Sequence, residues 1–458
     1  MSLWNERLRS GSFSVAALLC GCAASYDSRP VAESASEFLA AQVREEWASV
    51  KTEPGVESLY ADADLDAYIA YAVVHHRGLE ATFERWRAAA EDVGVQSGLP
   101  DPKLSYGEFL QEVQTRTGPQ RRTLGISQAF PWPGTLDARA RVAARKADVF
   151  RAEMDAERWK VATRVATAFH DYAFLGKEIE ITRSVLELVR GLEPVVQARV
   201  RAGAGQEDLL RIQVEIGRLE DDFQRVQERR RVLSARLGDA MNLAPADSRL
   251  LPLPQQQAFD EGDALDRNAL LARALEENPR IRTLHEKLRV ARSVQDLAEF
   301  AGRPDLSIGF NYIQTGDAVN GSTRGSGDDP LLLTATVGLP VWQGRYAAER
   351  RRADHGIRAV QAELEAARSS IRAEFEEVVF QFHDASRRTR LYRDSLLPRA
   401  REAVQLTTTA YRAGSATVLD LLDSERALLE FELIYRRAIH DYLQGRARLL
   451  EITGGQDS

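Results

Sequence analysis

Asp420 and Asp423 stand in the stretch YRAGSATVLDLLD, residues 411 to 423, and on a helix their spacing of three turns both carboxylates to one face. Neighbouring carboxylates repel each other and attract cations, so the pair suits a charged opening better than a reaction centre. The same two residues also suit a solvated helix face or the first-turn positions that favour negative charge. Reaction chemistry has little else to stand on. The chain contains no GxxxxGK[ST] phosphate loop, no HExxH and no GxSxG nucleophile elbow. Its seven histidines are scattered, the adjacent His75 and His76 point apart on a helix, and three methionines argue against a thioether metal relay. No catalytic residue, resident metal or cofactor is expected.

The elements that must carry the aspartates come in two copies. Across 458 residues the same order of parts recurs at a spacing of about 210. PKLSYG at 102–107 answers PDLSIG at 304–309, FPWPG at 130–134 answers LPVWQG at 339–344, and VRAGAGQEDLL at 200–210 answers YRAGSATVLDLL at 411–422. This predicts a first repeat over 62–242, a connector over 243–262 with three prolines and QQQ, and a second repeat over 263–453. Each repeat reads as a helix (about Leu65–Val95 and Asp263–Ala301), a β-hairpin (103–132 and 305–342), a long helix, a tip turn (201–205 and 412–416) and a returning helix (about Gln206–Met241 and Ala416–Ile452). Residues 22–61 show no clear period and read as an extended arm.

The long helices have no proline from Gly134 to Glu193 or from Val341 to Leu397, and each would run roughly 85 to 90 Å. Val161, Val165, Ala168 and Tyr172 mark an apolar stripe on the first; Ile371, Phe375, Val378 and Phe382 mark one on the second. Such rods need partners, which the returning helices supply as coiled-coil pairs. Pro194 and Pro398 are expected to kink them.

The hairpins alternate. Leu306, Ile308, Phe310 and Tyr312 share one face and Ser307, Gly309 and Asn311 the other; Leu331, Leu333, Ala335, Val337 and Leu339 oppose Thr334, Thr336 and Gly338. KLSYGEFLQEV at 103–113 changes parity after Tyr106, as a bulge would make it. Strands of this length match the roughly 9 to 11 residues that cross a bilayer, although hairpins of a soluble sandwich show the same pattern. With no apolar run of 18 residues a helical span is excluded, and only such strands could cross. A spanning sheet has to close, and four strands are too few; about eight is the minimum, so several chains would share one barrel. Gly125, Ser127, Ser307, Gly309 and Gly338 would then line the lumen, the Gly/Ser/Asp-rich loop 316–329 would form an outer tip, and Trp132 and Trp342 would lie at the membrane boundary.

Charge sets further limits. Lys and Arg number 61 against 68 Asp and Glu, a formal −7, so no basic field marks a nucleic-acid partner. Residues 1–21 read as an export signal, with Arg7 and Arg9 before the apolar Phe13–Leu19. The following Leu19-Cys20-Gly21-Cys22 resembles a bacterial lipobox, making Cys22 the expected acylation site, and Ala23 after it implies the outer membrane.

The tandem repeats, four strands, long coils and tip motif YRAGSATVLDLLD together resemble the TolC-type outer membrane efflux proteins from about Leu65 to Ile452. That resemblance implies a mainly helical chain that forms a homotrimer, with a twelve-stranded β-barrel continued by an α-helical barrel, in the outer membrane of a Gram-negative bacterium. It implies a passive export duct that meets a periplasmic adaptor and an inner-membrane pump of the resistance-nodulation-division type. Asp420 and Asp423 match aperture-lining positions, Tyr411 a residue that holds the closed end, and Asp208 its partner carboxylate. The turns Arg201-Ala202-Gly203 and Arg412-Ala413-Gly414 match the adaptor contacts. Ala416 stands where the family's type member has an arginine, so the closing latch is weaker or built otherwise, with Arg201, Arg211 or Arg412 at hand. A coiled-coil scaffold without a pore is the alternative.

Overall fold

The computed structural model describes residues 56–60, 64–203, 205–243, 250–260, 266–319 and 324–455. The expected signal, Cys22 and most of the arm lie outside these residues. The arm's end is not extended: Val56–Tyr60 is a turn of 3₁₀ helix whose Leu59 is buried and accepts from the Tyr68 hydroxyl at 3.1 Å.

The first repeat runs α1 (Leu65–His75), α2 (Arg77–Ser97), β1 (Lys103–Thr115), β2 (Gly118–Phe130), α3 (Thr135–Arg201) and α4 (Gln206–Ala240). The second runs α5 (Arg267–Glu277), α6 (Pro279–Ala298), β3 (Leu306–Thr315), β4 (Leu331–Val337), α7 (Gln343–Leu391), a π turn (Tyr392–Leu396), α8 (Leu397–Ala413) and α9 (Val418–Thr453). The helix expected to open each repeat is broken at the same place in both. Pro279 forces Asn278 out of helical geometry, and the Asn278 carboxamide then caps the next helix, accepting from Arg280 N at 2.9 Å. His76 makes the same break without a proline, its Nδ1 accepting from Gly78 N at 3.1 Å.

Two compact units are present, each built from both repeats. One contains Trp86–Asp148 and Glu286–Val360; the other contains Val149–His285, the segment before Trp86, and the chain from Gln361 on. The first unit holds a four-stranded antiparallel sheet in the order β1-β2-β3-β4, so β1 and β4 are its edges. Register lines up Leu104, Ile126, Phe310 and Leu333 across all four strands, and beside them Tyr106, Leu124, Tyr312 and Leu331. These eight side chains are exposed, Leu104 by 74% and Phe310 by 43%. The opposite face is shorter and more polar: Ser105, Gly125 and Asn311 are aligned and end on Leu332, and Ser127, Gly309 and Thr334 form the next row. A Cβ on Gly125 would sit 2.3 Å from Asn311 Oδ1, so a larger residue there would have to push that carboxamide aside. The β1 irregularity comes later than its parity change at Tyr106, between Glu108 and Val113. β4 ends at Val337 rather than Leu339: Gly338 N still donates to Asp305 O, the next pair in register, and Pro340 has no N–H to carry the ladder further.

The second unit is coiled coil. Val161, Val165, Phe169, Tyr172 and Leu175 of α3 pack with Leu233 and Leu237 of α4. Ile371, Phe375, Val378 and Phe382 of α7 pack with Ile439, Tyr442 and Leu443 of α9. Pro194 lies inside an unbroken α3, whereas Pro398 follows the π turn, which opens the ladder one turn ahead of the ring. The connector is an ordered strap over 250–260. Leu251 O accepts from Tyr172 Oη at 2.6 Å and Leu251 N donates to Ser234 Oγ at 3.0 Å; Asp260 O accepts from Tyr442 Oη at 3.2 Å.

The candidate aperture at the helical tip

At one end of the second unit the two coiled pairs share a core: Leu186, Val189 and Val196 of α3, Ile212 and Leu219 of α4, Tyr411 of α8, and Val418, Leu421 and Leu422 of α9. The α8–α9 turn is set by local hydrogen bonds. Gly414 takes φ 83, Gly414 N donates to Tyr411 O at 3.1 Å and Ser415 N to Ala410 O at 2.9 Å, a left-handed helix stop that glycine makes without strain. Thr417 then starts α9 through a capping box: Asp420 N donates to Thr417 Oγ1 at 3.2 Å and Thr417 N to Asp420 Oδ2 at 2.9 Å.

Asp420 is thus exposed and engaged at once. The Thr417 hydroxyl and backbone hold its carboxyl below the usual range, so it is charged well into acid. Asp423 is exposed one turn on, its nearest cation Arg426 Nη1 at 3.5 Å. Asp208 is half-buried in the first turn of α4. Arg201, Ala202, Gly203, Arg412, Ala413 and Gly414 are all exposed on the two turns.

The cross-repeat ties bring in Arg199, Glu215 and Arg426 beside Tyr411. Tyr411 is buried, and its hydroxyl has no hydrogen-bond partner among the described residues. Its ring lies under Arg199, 4.5 Å from the guanidinium carbon, and its carbonyl accepts from Arg199 Nη1 at 3.2 Å. Arg426 of α9 donates to both oxygens of Glu215 on α4, at 3.1 and 2.5 Å, with Glu215 itself buried. Arg199 and Arg426 make these cross-repeat contacts, while Arg201, Arg211 and Arg412 are exposed. A sign of the second tie was visible: Glu215 falls between Ile212 and Leu219, inside the apolar stripe of α4. Arg199 carries no comparable sign.

In the first unit Trp132 follows β2, its backbone N–H donating to Asp305 Oδ1 at 3.3 Å and its ring 5.8 Å from Arg303; Trp342 is exposed by 74% just before α7.

The described residues thus combine long paired coils with a small sheet whose apolar face is exposed. Residues 270–455 match the family described as Outer membrane efflux protein. The chain is 26% identical over 426 residues to the pyoverdine export outer membrane protein OpmQ of Pseudomonas putida, covering 86% of this chain and 87% of that one. It is 20% identical over 399 residues to the cobalt-zinc-cadmium resistance protein CzcC of Cupriavidus metallidurans, covering 85% and 90%. The outer membrane protein VceC of Vibrio cholerae superposes with a TM-score of 0.70 at 18% identity, over 87% of this chain and 98% of VceC. Along most of its length the chain is thus similar to outer membrane proteins of export and resistance systems, and its residues 270–455 match the outer membrane efflux family.

Proposed function

We propose that this chain is the outer membrane duct of a tripartite export system, assembled as a homotrimer. The observation that carries the reading is the sheet: eight aligned apolar side chains face outward while β1 and β4 keep open edges. Hydrocarbon can accept the first feature and cannot accept the second, so the edges must pair with neighbouring copies. Three copies give a twelve-stranded barrel with the Gly125, Ser127 and Gly309 rows toward the lumen. The coils continue it through the periplasm to the tip, where Asp420 and Asp423 make a negatively charged aperture and the cross-repeat ties of Arg199 and Arg426 hold it closed. The exposed turns at Arg201–Gly203 and Arg412–Gly414 meet a periplasmic adaptor, and a resistance-nodulation-division pump drives the cargo. Cys22 adds a lipid anchor. Export of pyoverdine and resistance to cobalt, zinc and cadmium are the stated roles of two relatives, so one architecture serves unlike cargoes and selection belongs to the pump.

The test is the mass of the protein extracted from outer membranes in mild detergent. Three copies per particle are expected. A monomer that stays in solution without detergent would replace the duct with a coiled-coil scaffold.

A further inference from the structure

His440 of α9 is buried, and both of its ring nitrogens meet carboxylates: Nε2 lies 2.7 Å from Asp171 Oδ1 on α3, and Nδ1 lies 2.9 Å from Asp441 Oδ1. A neutral imidazole has one N–H, so it can satisfy only one of two carboxylates; the imidazolium satisfies both. Asp171 and His440 belong to different repeats, 269 residues apart. The geometry therefore makes a bond between the first repeat's long helix and the second repeat's returning helix depend on one proton.

A second arrangement is already in place. The Gln444 amide nitrogen lies 3.0 Å from His440 Nε2 and 2.9 Å from Asp171 Oδ1. Once Nε2 loses its proton, that amide can donate to the vacated lone pair while Nδ1–H stays on Asp441. We propose that His440 is a proton-operated latch between the two repeats: protonated, it ties α9 to Asp171 by a charged bond; deprotonated, it accepts from Gln444 and gives up its own bond to α3, leaving Asp171 only the weaker neutral bond from the Gln444 amide.

Charged and titratable groups surround His440 on every element packed against it. From α3 come Asp171 and the buried His170; from α9, Asp441 and Arg437, the latter 4.7 Å over the Phe174 ring that itself lies 5.4 Å from His440. From α7 comes Arg388, 3.8 Å from Asp441, in a groove that Asp384 and Arg448 also line. Burial pulls the His440 imidazole down, and the hydrogen bonds from Asp171 and Asp441 more than offset it, so it titrates above its ordinary value. The tie is therefore complete below about pH 6.5 and is lost as pH rises through that higher value. On the export reading, this latch makes the coils harder to part in acid than in alkali; the experiment below does not depend on that reading.

Amide hydrogen exchange on the full-length protein in detergent, read on peptides covering 165–178 and 436–448 and corrected for intrinsic rates, tests the latch. Between pH 5.5 and 8.5 the wild type is expected to lose protection in both segments at least threefold. His440→Gln and Asp171→Asn should each abolish that difference. Gln444→Leu leaves the protonated tie intact but removes the alternative partner, so its transition should move to higher pH. Protection in the wild type that does not change with pH, or an unaltered change in His440→Gln, overturns the proposal. If both His440→Gln and Asp171→Asn fail to fold, a Gln444→Leu transition at the wild-type pH overturns it as well.

Discussion

Arg426 grips both oxygens of the buried Glu215 carboxylate, and the two residues lie 211 positions apart, about one repeat length. The tie joins the returning helices of the two repeats at the tip. Removing the arginine leaves the buried carboxylate with only the more distant Arg218, whose Nη1 lies 4.0 Å away, which is the costly half of such a pair. Because Arg426 is nearly half exposed, Arg426→Ala is expected to cost about 2 kcal/mol rather than the full value for a buried pair. Glu215→Leu with Arg426→Leu should recover most of that loss. Thermal melts of the detergent-purified variants read both numbers, and an Arg426→Ala melt indistinguishable from wild type would remove the tie from the fold's support.

Asp420 and Asp423 separate on inspection of their partners. Asp420 closes a capping box with Thr417, so Asp420→Ala should weaken the start of α9 and lower the melting temperature slightly. Asp423 is exposed beside Arg426, and Asp423→Asn should leave stability unchanged. If the pair lines the aperture, Asp423→Asn alone raises single-channel conductance and weakens cation block in planar bilayers. Identical traces would assign both aspartates to helix capping and solvent.

Much of this was written in spacing. Alternation at Leu306, Ile308, Phe310 and Tyr312 marks β3 because a strand's side chains have a period of two, and the exposed face is those same four residues. The stripe through Ile371, Phe375, Val378 and Phe382 marks the core of the second coil for the matching helical reason. What spacing left hidden depends on atoms brought together from distant parts of the chain. Nothing local tells Arg199 from Arg201, since only packing puts the first over the Tyr411 ring. The breaks at His76 and Asn278 were missed because a strong apolar period on both sides outweighed a single proline in one repeat and none in the other. His440 looked like one histidine among seven until α3 brought Asp171 to it.

The sheet's two faces should respond oppositely to charge. Phe310 lies mid-strand in the row with Leu104, Ile126 and Leu333. A cation there would face hydrocarbon, at a cost of about 2 to 4 kcal/mol near the bilayer centre. Phe310→Arg should reduce the amount of assembled protein recovered from outer membranes by tenfold or more. Ser307→Lys, on the short polar face, should insert normally and change conductance instead. Equal recovery of the two variants would mean that the apolar rows do not contact lipid.

Acid should act through a different histidine and with the opposite sign to the latch. His170 of α3 is buried with its Nδ1 unpartnered among the described residues, and burial, helped by the charge of His440, pushes it down to about 4. Between about pH 6.5 and 4 the unfolded chain binds a proton at this position that the folded chain refuses, so stability must fall as pH falls across that window. The full difference is on the order of 3 kcal/mol. His76 adds to the same slope, because burial, then the nearby charge of Arg164, lowers it and its Nδ1 must stay unprotonated to cap Gly78. Chemical denaturation at pH 7 and pH 4.5 should show the loss in wild type, and His170→Leu should remove the larger part of it. A His170→Leu profile that keeps the full acid slope would mean that the position is hydrated or titrates normally.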